Sequence, residues 1–223
     1  MAKVFVAIAG NMGSGKTTLT KLLSARFGWE PFFEPVAENP YLADFYADMR
    51  RWAFHLQTTF LTHRFADHQR ILAHEISAIQ DRTIYEDAEI FARNLYDSGK
   101  MDERDWGAYS YLAQVMAEQI APPDLLVYLR KSVPRLAERI RKRGRAYEQS
   151  VPLEYLTRLN EAYERWITSY RRGKLLIIDA EHLDFLEAPE HLDDIARLIT
   201  DALPQRELFD LESQGAAQAE LLP

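Results

Sequence analysis

No cysteine occurs among the 223 residues. That excludes disulfides, zinc–thiolate sites, iron–sulfur clusters and a cysteine nucleophile, and it fits a reducing cytoplasm. An excess of positive charge is also missing: 27 Lys and Arg against 34 Asp and Glu leave a net charge of −7. A broad nucleic-acid-binding face is disfavoured on that ground, although local basic clusters can still hold phosphates. The longest near-apolar run, 4–10, falls far short of the ~20 residues of a membrane span. The chain opens on a strand-like segment, without the basic and apolar regions of a signal peptide, so the expectation is a cytoplasmic protein. Six histidines (His55, His63, His68, His74, His182, His191) lack the i, i+4 spacing of a helical zinc pair. They read as surface or core-edge residues.

What is present is the balance of a globular protein, 47% hydrophobic and 27% charged. There is no internal repeat. Short runs rich in Val, Ile, Leu or Phe at 3–9, 30–34, 78–81, 124–129 and 174–179 suit buried parallel strands. Helical patterns fall between them at 16–27, 41–49, 52–74, 88–97, 103–120, 133–143, 153–171 and 191–202. That alternation predicts an α/β fold, a five-stranded parallel sheet with helices on both faces. No Pro/Gly/Ser linker divides the chain, so 1–203 is expected to be one domain. The polar, Ala/Gln/Glu-rich stretch 204–223 is expected to be a flexible tail.

Gly10-Asn11-Met12-Gly13-Ser14-Gly15-Lys16-Thr17 fits G-x-x-x-x-G-K-S/T at every fixed position. It lies between a strand pattern and a helix pattern, as a P-loop must. Glycines let backbone N–H groups curl around a phosphate, and the helix N-terminus adds its positive dipole end. Lys16 is placed to bridge the β- and γ-phosphates, and the Thr17 hydroxyl to meet Mg²⁺. The expected ligand is a nucleoside triphosphate. The motif alone leaves the acceptor open, but no N-K-x-D base-reading motif of G proteins is present. In an open parallel sheet, ligands gather at the carboxyl ends of strands. That rule brings Glu34, Asp81 and Arg82 to the crevice of the P-loop.

Several motifs occur in order: G-N-M-G-S-G-K-T-T, E-P-V, W-A-F-H-L-Q, D-R-T-I-Y-E-D, and R-K-R-G-R-A-Y-E-Q followed by P-L-E-Y-L. With these the chain resembles the deoxynucleoside kinase family over about residues 3–185, and most of all its bacterial deoxyadenosine kinase type. The resemblance implies a P-loop fold with a short arginine-rich lid, and transfer of the ATP γ-phosphate to the 5′-hydroxyl of a deoxynucleoside in nucleotide salvage. Deoxyadenosine is the implied substrate, with deoxycytidine also accepted. It implies Mg²⁺ with ATP, a homodimer through two long helices (52–74 and 103–120 being the candidates), and no nucleic-acid or membrane partner.

The same resemblance assigns roles. Glu34 is the implied base for the 5′-hydroxyl, a task within reach of any carboxylate at hydrogen-bond distance. Arg82 and Lys16 complete the catalytic set. Asp81, where the family commonly has Glu, joins Thr17 as the metal pair, with room for an intervening water. Gly10, Asn11, Met12, Gly13, Ser14, Gly15, Thr17 and Thr18 hold ATP with Lys16. Arg139, Arg143 and Arg145 form the lid, and Asp184 with Phe185 cups the donor adenine. Tyr46 and Glu148 hold the sugar 3′-hydroxyl. Gln57, Leu61 and Arg64 share one helical stripe. Gln57 and Arg64 face the base, with Asp87 as the partner of Arg64. Phe54 and Phe91 are candidate walls around it. A deoxyguanosine kinase is the nearest alternative. A nucleoside monophosphate kinase is disfavoured, because Glu34 and Glu148 would repel an acceptor phosphate. A non-catalytic subunit would have no reason to keep Lys16, Thr17, Glu34, Asp81 and Arg82 together.

Overall fold

The side chains of the first apolar run alternate between two cores, and that alternation organises the molecule. In a computed structural model, which describes residues 3–34, 39–145, 151–185 and 188–203, strand β1 (Phe5–Ala9) is buried along its whole length. Phe5, Ala7 and Ala9 face one core; Val6 and Ile8 face the other. This is the period of two that a strand imposes.

The remaining strands are β2 (Glu30–Phe32), β3 (Ala78–Asp81), β4 (Leu125–Arg130) and β5 (Lys174–Asp179). All pair in parallel, in the order β2-β3-β1-β4-β5. Ile8 lies in register with both Asp81 and Val127. The first core also receives α2 (Leu42–Ala47), α3 (Met49–Ala73), α6 (Glu103–Glu118) and α8 (Leu153–Ser169). The second is covered by α1 (Lys16–Phe27) and α9 (Pro189–Ala202). Helices on both faces of a five-stranded parallel sheet match the sequence reading. The chain leaves β1 in opposite directions to reach β3 and β4, so a crevice opens at the carboxyl end of β1.

Several boundaries differ from the sequence expectation, each for a local reason. β2 stops at Phe32, so Glu34 lies in the segment just past the strand. Helix α3 begins at Met49 because the Asp48 side chain caps it by accepting the Arg51 N–H at 3.2 Å. The helix expected from residue 88 begins earlier: a single turn, α4 (Ile84–Glu86), runs through a π-helical turn (Asp87–Ala92) into α5 (Arg93–Asp97). The Arg93 N–H reaches back five residues to the Ala88 carbonyl. Such wide turns are frequent at functional sites. Helix α7 (Val133–Arg143) matches expectation, with Ser132 as N-cap and Gly144 in the left-handed conformation at its end.

His68 corrects the reading of all six histidines as peripheral. It is fully buried, its Nε2 lies 2.8 Å from the Ala121 carbonyl, and its ring stands edge-on to Phe5. Burial lowers its pKa below 6.5, against the raising effect of the Ala121 hydrogen bond. A depressed histidine adds stability above the unfolded-state pKa and loses it as pH falls. Unfolding free energy should therefore decline below about pH 6.5, by up to ~1.4 kcal/mol per pH unit from this group. Denaturant titrations at pH 7.5 and 5.5 check this. His68→Gln should remove that part of the pH dependence.

Candidate active site

The P-loop curls over the end of β1. Gly13 has φ 82°, and a methyl group there would lie 2.8 Å from the Leu136 carbonyl oxygen on α7. The loop thus demands glycine at this point both for its backbone angle and for the helix packed against it. The Asn11 side chain is buried and donates to the Leu156 carbonyl at 3.1 Å and to Asn160 Oδ1 at 3.3 Å, while its own Oδ1 accepts the Met12 N–H at 2.8 Å. Sequence reading placed Asn11 at ATP; its side chain is a strut from the loop to α8. Lys16 is buried, and its Nζ donates to the Asn11 carbonyl at 3.0 Å. Ser14 Oγ is buried with no protein partner. Met12 and Thr18 are half-buried.

At Gly15 a methyl group would meet Phe185 Cε2 at 3.3 Å and Arg139 Nη2 at 3.9 Å. Two residues predicted to lie around the donor therefore stand at the mouth of the loop. Arg143 ends α7, Arg145 follows its glycine cap, and Asp184 is half-buried beside Phe185.

Thr17 Oγ1 donates to Asp81 Oδ2 at 2.5 Å, while Asp81 Oδ1 is buried without a partner. A hydroxyl touching a carboxylate that has a spare oxygen is a donor set that fits Mg²⁺. This ion keeps phosphate and water ligands and needs few from protein. Among the described residues no group of three or more His, Asp or Glu could hold a metal by itself.

Glu34 lies between two arginines. Arg82 Nη1 and Arg64 Nη2 each donate to its Oε1 at 3.1 Å. Its Oε2 makes no hydrogen bond among the described residues. Burial alone would push this carboxyl up, but Arg82, Arg64 and Lys16 outweigh burial and hold it down to about 2. Arg82 has φ 72° and lies with Cζ 4.0 Å over the Phe91 ring. The left-handed backbone of a non-glycine residue costs about 1–3 kcal/mol and points to a constrained site. Phe91, predicted as a wall for a base, supports Arg82.

Arg64 occupies more positions than its sequence assignment implied. Its Nε donates to Asp87 Oδ2 at 2.5 Å, its Nη2 to Glu34, and its Nη1 to the Asp81 carbonyl at 3.3 Å. Burial disfavours its charge, but Asp87 and Glu34 raise its pKa above the usual value. The expected Arg64–Asp87 pair is present. What sequence spacing did not reveal is that the same guanidinium reaches Glu34. Gln57 and Leu61, on the same stripe, are buried, and Gln57 Oε1 has no protein partner. Phe54 and Tyr46 are half-buried, and Tyr46 packs edge-on against Phe45. Glu148, together with Pro35 and Val36 of the E-P-V motif, lies outside the described residues.

Three further residues escaped sequence reading. Glu86 sits beneath the loop and accepts the Gly10 N–H. Tyr155 lies on the first turn of α8, close enough for the Arg82 cation to act on its phenol. Lys131, past the end of β4, donates to the Ala180 carbonyl and so ties that strand to the segment carrying Phe185. Only Tyr155, within P-L-E-Y-L, and Glu86, within D-R-T-I-Y-E-D, had a motif to signal them.

A P-loop at the switch point of a 2-3-1-4-5 parallel sheet, faced by a carboxylate between two arginines, defines a phosphotransferase acting on a small acceptor. A model of the deoxynucleoside kinase family matches residues 6–204. The chain is 36% identical over 200 residues to the deoxyadenosine/deoxycytidine kinase of Bacillus subtilis (strain 168), covering 89% of this chain and 92% of that one. It is 34% identical over 209 residues to a deoxyguanosine kinase of Lactobacillus acidophilus, covering 90% and 91%. The solved structure of M. mycoides deoxyadenosine kinase with bound dATP superposes with a TM-score of 0.79 at 31% identity, covering 88% of this chain and 99% of that one. The chain belongs to the deoxynucleoside kinase family and is a kinase.

Lys16 yields a test of the loop. Burial and then Arg82 lower its pKa to about 8, against the pull of Asp81, Glu34 and Glu86. At pH 9 the empty loop therefore holds mostly neutral lysine, and polyphosphate should draw a proton onto it. Calorimetric titration with ATP at pH 9 should show uptake of close to one proton, read from the dependence of the enthalpy on buffer ionisation. At pH 7 uptake should be small. Lys16→Ala should show none at either pH and should abolish transfer.

Proposed function

We propose that the chain transfers the γ-phosphate of ATP to the 5′-hydroxyl of deoxyadenosine, and with lower preference deoxycytidine, using Mg²⁺ at Thr17 and Asp81. The observation that carries the choice of base is Gln57 Oε1, a buried acceptor without a partner on the stripe that leads to Arg64 and Asp87. An exocyclic amine, which adenine and cytosine both offer, satisfies it; the carbonyl of thymine at that edge does not. A deoxyguanosine kinase relative at 34% identity keeps guanine as the second reading.

The residues divide the work. Glu34 is the base. Its Oε1 is held by Arg64 and Arg82, which leaves Oε2 to accept the 5′-hydroxyl proton as the oxygen bonds to γ-phosphorus and the bond to ADP breaks. A carboxylate this acidic stays ionised at every working pH, and takes the proton late, once the neutral attacking oxygen has begun to share its lone pair with phosphorus and has become acidic. That timing suits a loose phosphoryl transition state. Arg82 and Lys16 balance charge on the transferring group. Held by Thr17 and Asp81, Mg²⁺ would further neutralise the phosphate charge. Arg139, Arg143 and Arg145 close on the donor phosphates, Phe185 with Asp184 takes the donor base, and Tyr46 with Glu148 takes the sugar 3′-hydroxyl. No described helix is long and apolar enough to cross a membrane, and we place the enzyme in the cytoplasm. Tyr111 and Val115, one turn apart and exposed on α6, support a homodimer through that helix.

Glu34→Gln keeps the shape and loses the proton acceptor. Its kcat should fall by about 10²–10⁴, with the nucleoside KM changed far less. A kcat within about three-fold of wild type would reduce Glu34 to a structural role. The base assignment is checked by kcat/KM for the four deoxynucleosides. Wild type should rank deoxyadenosine first and thymidine last. Arg64→Met with Asp87→Ala should bring thymidine up the ranking while lowering kcat for all substrates, since Glu34 then keeps one arginine. Asp87→Ala alone should help thymidine less, because it strands a buried cation. An unchanged ranking in the double variant, or a wild type preferring thymidine, defeats the assignment. A preference for deoxyguanosine would replace adenine with guanine and keep the site.

A further inference from the structure

We propose that Glu86 is a positioning residue for phosphoryl transfer, a buried carboxylate that holds the phosphate loop to the Arg82 turn. The inference rests on the kinase reaction described above and concerns a residue that contacts no reacting atom.

Glu86 is fully buried, yet it has no cation within ion-pair distance among the described residues. Its partners are four donors, two on each oxygen. Oε1 accepts the Gly10 N–H at 3.3 Å and the Tyr163 hydroxyl at 2.8 Å. Oε2 accepts the Thr83 N–H at 2.7 Å and the Thr83 hydroxyl at 3.1 Å. A buried carboxylate is costly unless its lone pairs are met, and these four bonds meet them.

The four donors come from three parts of the site. Gly10 opens the phosphate loop. Thr83 follows Arg82 directly, and its capping box with Glu86 starts α4. Tyr163 lies on α8, the same helix that receives the Asn11 strut. One carboxylate therefore fixes the start of the loop relative to the strained backbone of Arg82. That separation sets where the γ-phosphate lies relative to the arginine and to Glu34. A misplacement of about 1 Å in such a geometry costs up to ~100-fold in rate. A cap at Thr83 alone would need only Oε2; the second oxygen serves the loop.

Glu86→Gln separates these duties. The amide must put its NH₂ toward one donor pair. Thr83 N–H is the shorter bond, so the amide oxygen stays there and the NH₂ turns to Gly10 and Tyr163. The tyrosine hydroxyl can rotate to accept from it; the Gly10 N–H cannot and loses its acceptor. The cap survives and the loop is released.

The test measures kcat, KM for deoxyadenosine, KM for ATP and the thermal midpoint of wild type, Glu86→Gln and Tyr163→Phe. All assays run well below each midpoint. For Glu86→Gln the expected kcat is about 10- to 100-fold down, with the deoxyadenosine KM within about three-fold. Tyr163→Phe removes a donor but leaves Gly10 its acceptor. It should lower the midpoint while kcat stays within about three-fold of wild type. Glu86→Asp, which keeps the charge but falls one methylene short, should also lose kcat, and it replaces Glu86→Gln if that variant does not fold. The assignment is overturned if folded Glu86→Gln turns over near the wild-type rate, if Tyr163→Phe loses as much kcat as Glu86→Gln, or if neither Glu86 variant folds. An inactive wild type would instead overturn the assigned substrate.

Discussion

The site depends on one buried cation. Arg64, on the inner stripe of α3, holds Asp87 with one nitrogen, Glu34 with another and the Asp81 carbonyl with a third. Its burial would be prohibitive without those anions, and theirs without it. Removing any one member of such a set leaves an uncompensated charge, at a cost of about 3–5 kcal/mol. The consequence is mutual placement. Asp87, on the side of the site proposed to face the base, and Glu34, proposed to take the proton, are held by the same guanidinium, so the recognition and reaction ends of the acceptor site cannot move independently. Arg82 completes the arrangement from the other side of Glu34, braced on Phe91.

Backbone irregularities occur where that charge set needs them. The left-handed Arg82, the capping box at Thr83 and the π-helical turn follow one another without a break. The wide turn brings Asp87 toward α3 and Phe91 under Arg82 within five residues. A regular helix would have advanced Phe91 further around the axis. Glu86, at the junction, ties this turn to the phosphate loop and to α8, so the acceptor and donor halves of the site share a common footing.

Much of this was legible in the sequence because its signals are local. The five strands, the helices on both faces and the P-loop follow from hydrophobic period and from a motif whose glycines have a geometric reason. The Arg64–Asp87 pair also emerged, from a helical stripe and a resemblance. What stayed hidden depends on contacts far apart in the chain. Glu34 and Arg64 are thirty residues apart, and Asn11 and Leu156 far more. His68 looked peripheral because its burial comes from Phe5 and Ala121, not from its own helix pattern. The π-helical turn has no sequence period to announce it. Glu86 read as one more charged residue in a motif, since nothing local says that its four donors lie on three separate segments.

The buried groups left without partners have a bearing beyond catalysis. Ser14 Oγ, Gln57 Oε1, Asp81 Oδ1 and Arg82 Nε are all sequestered from protein acceptors or donors, and each such group costs about 1–3 kcal/mol when nothing meets it. Ligand groups that meet these atoms add to the stability of the folded state. A ligand at a hundred times its dissociation constant adds about 2.7 kcal/mol to the folded state. In a cell, that difference changes the fraction of molecules open to proteases by roughly two orders of magnitude. The lifetime of this protein is thereby tied to the supply of its own substrates: a pool that falls low leaves the enzyme both idle and easier to degrade.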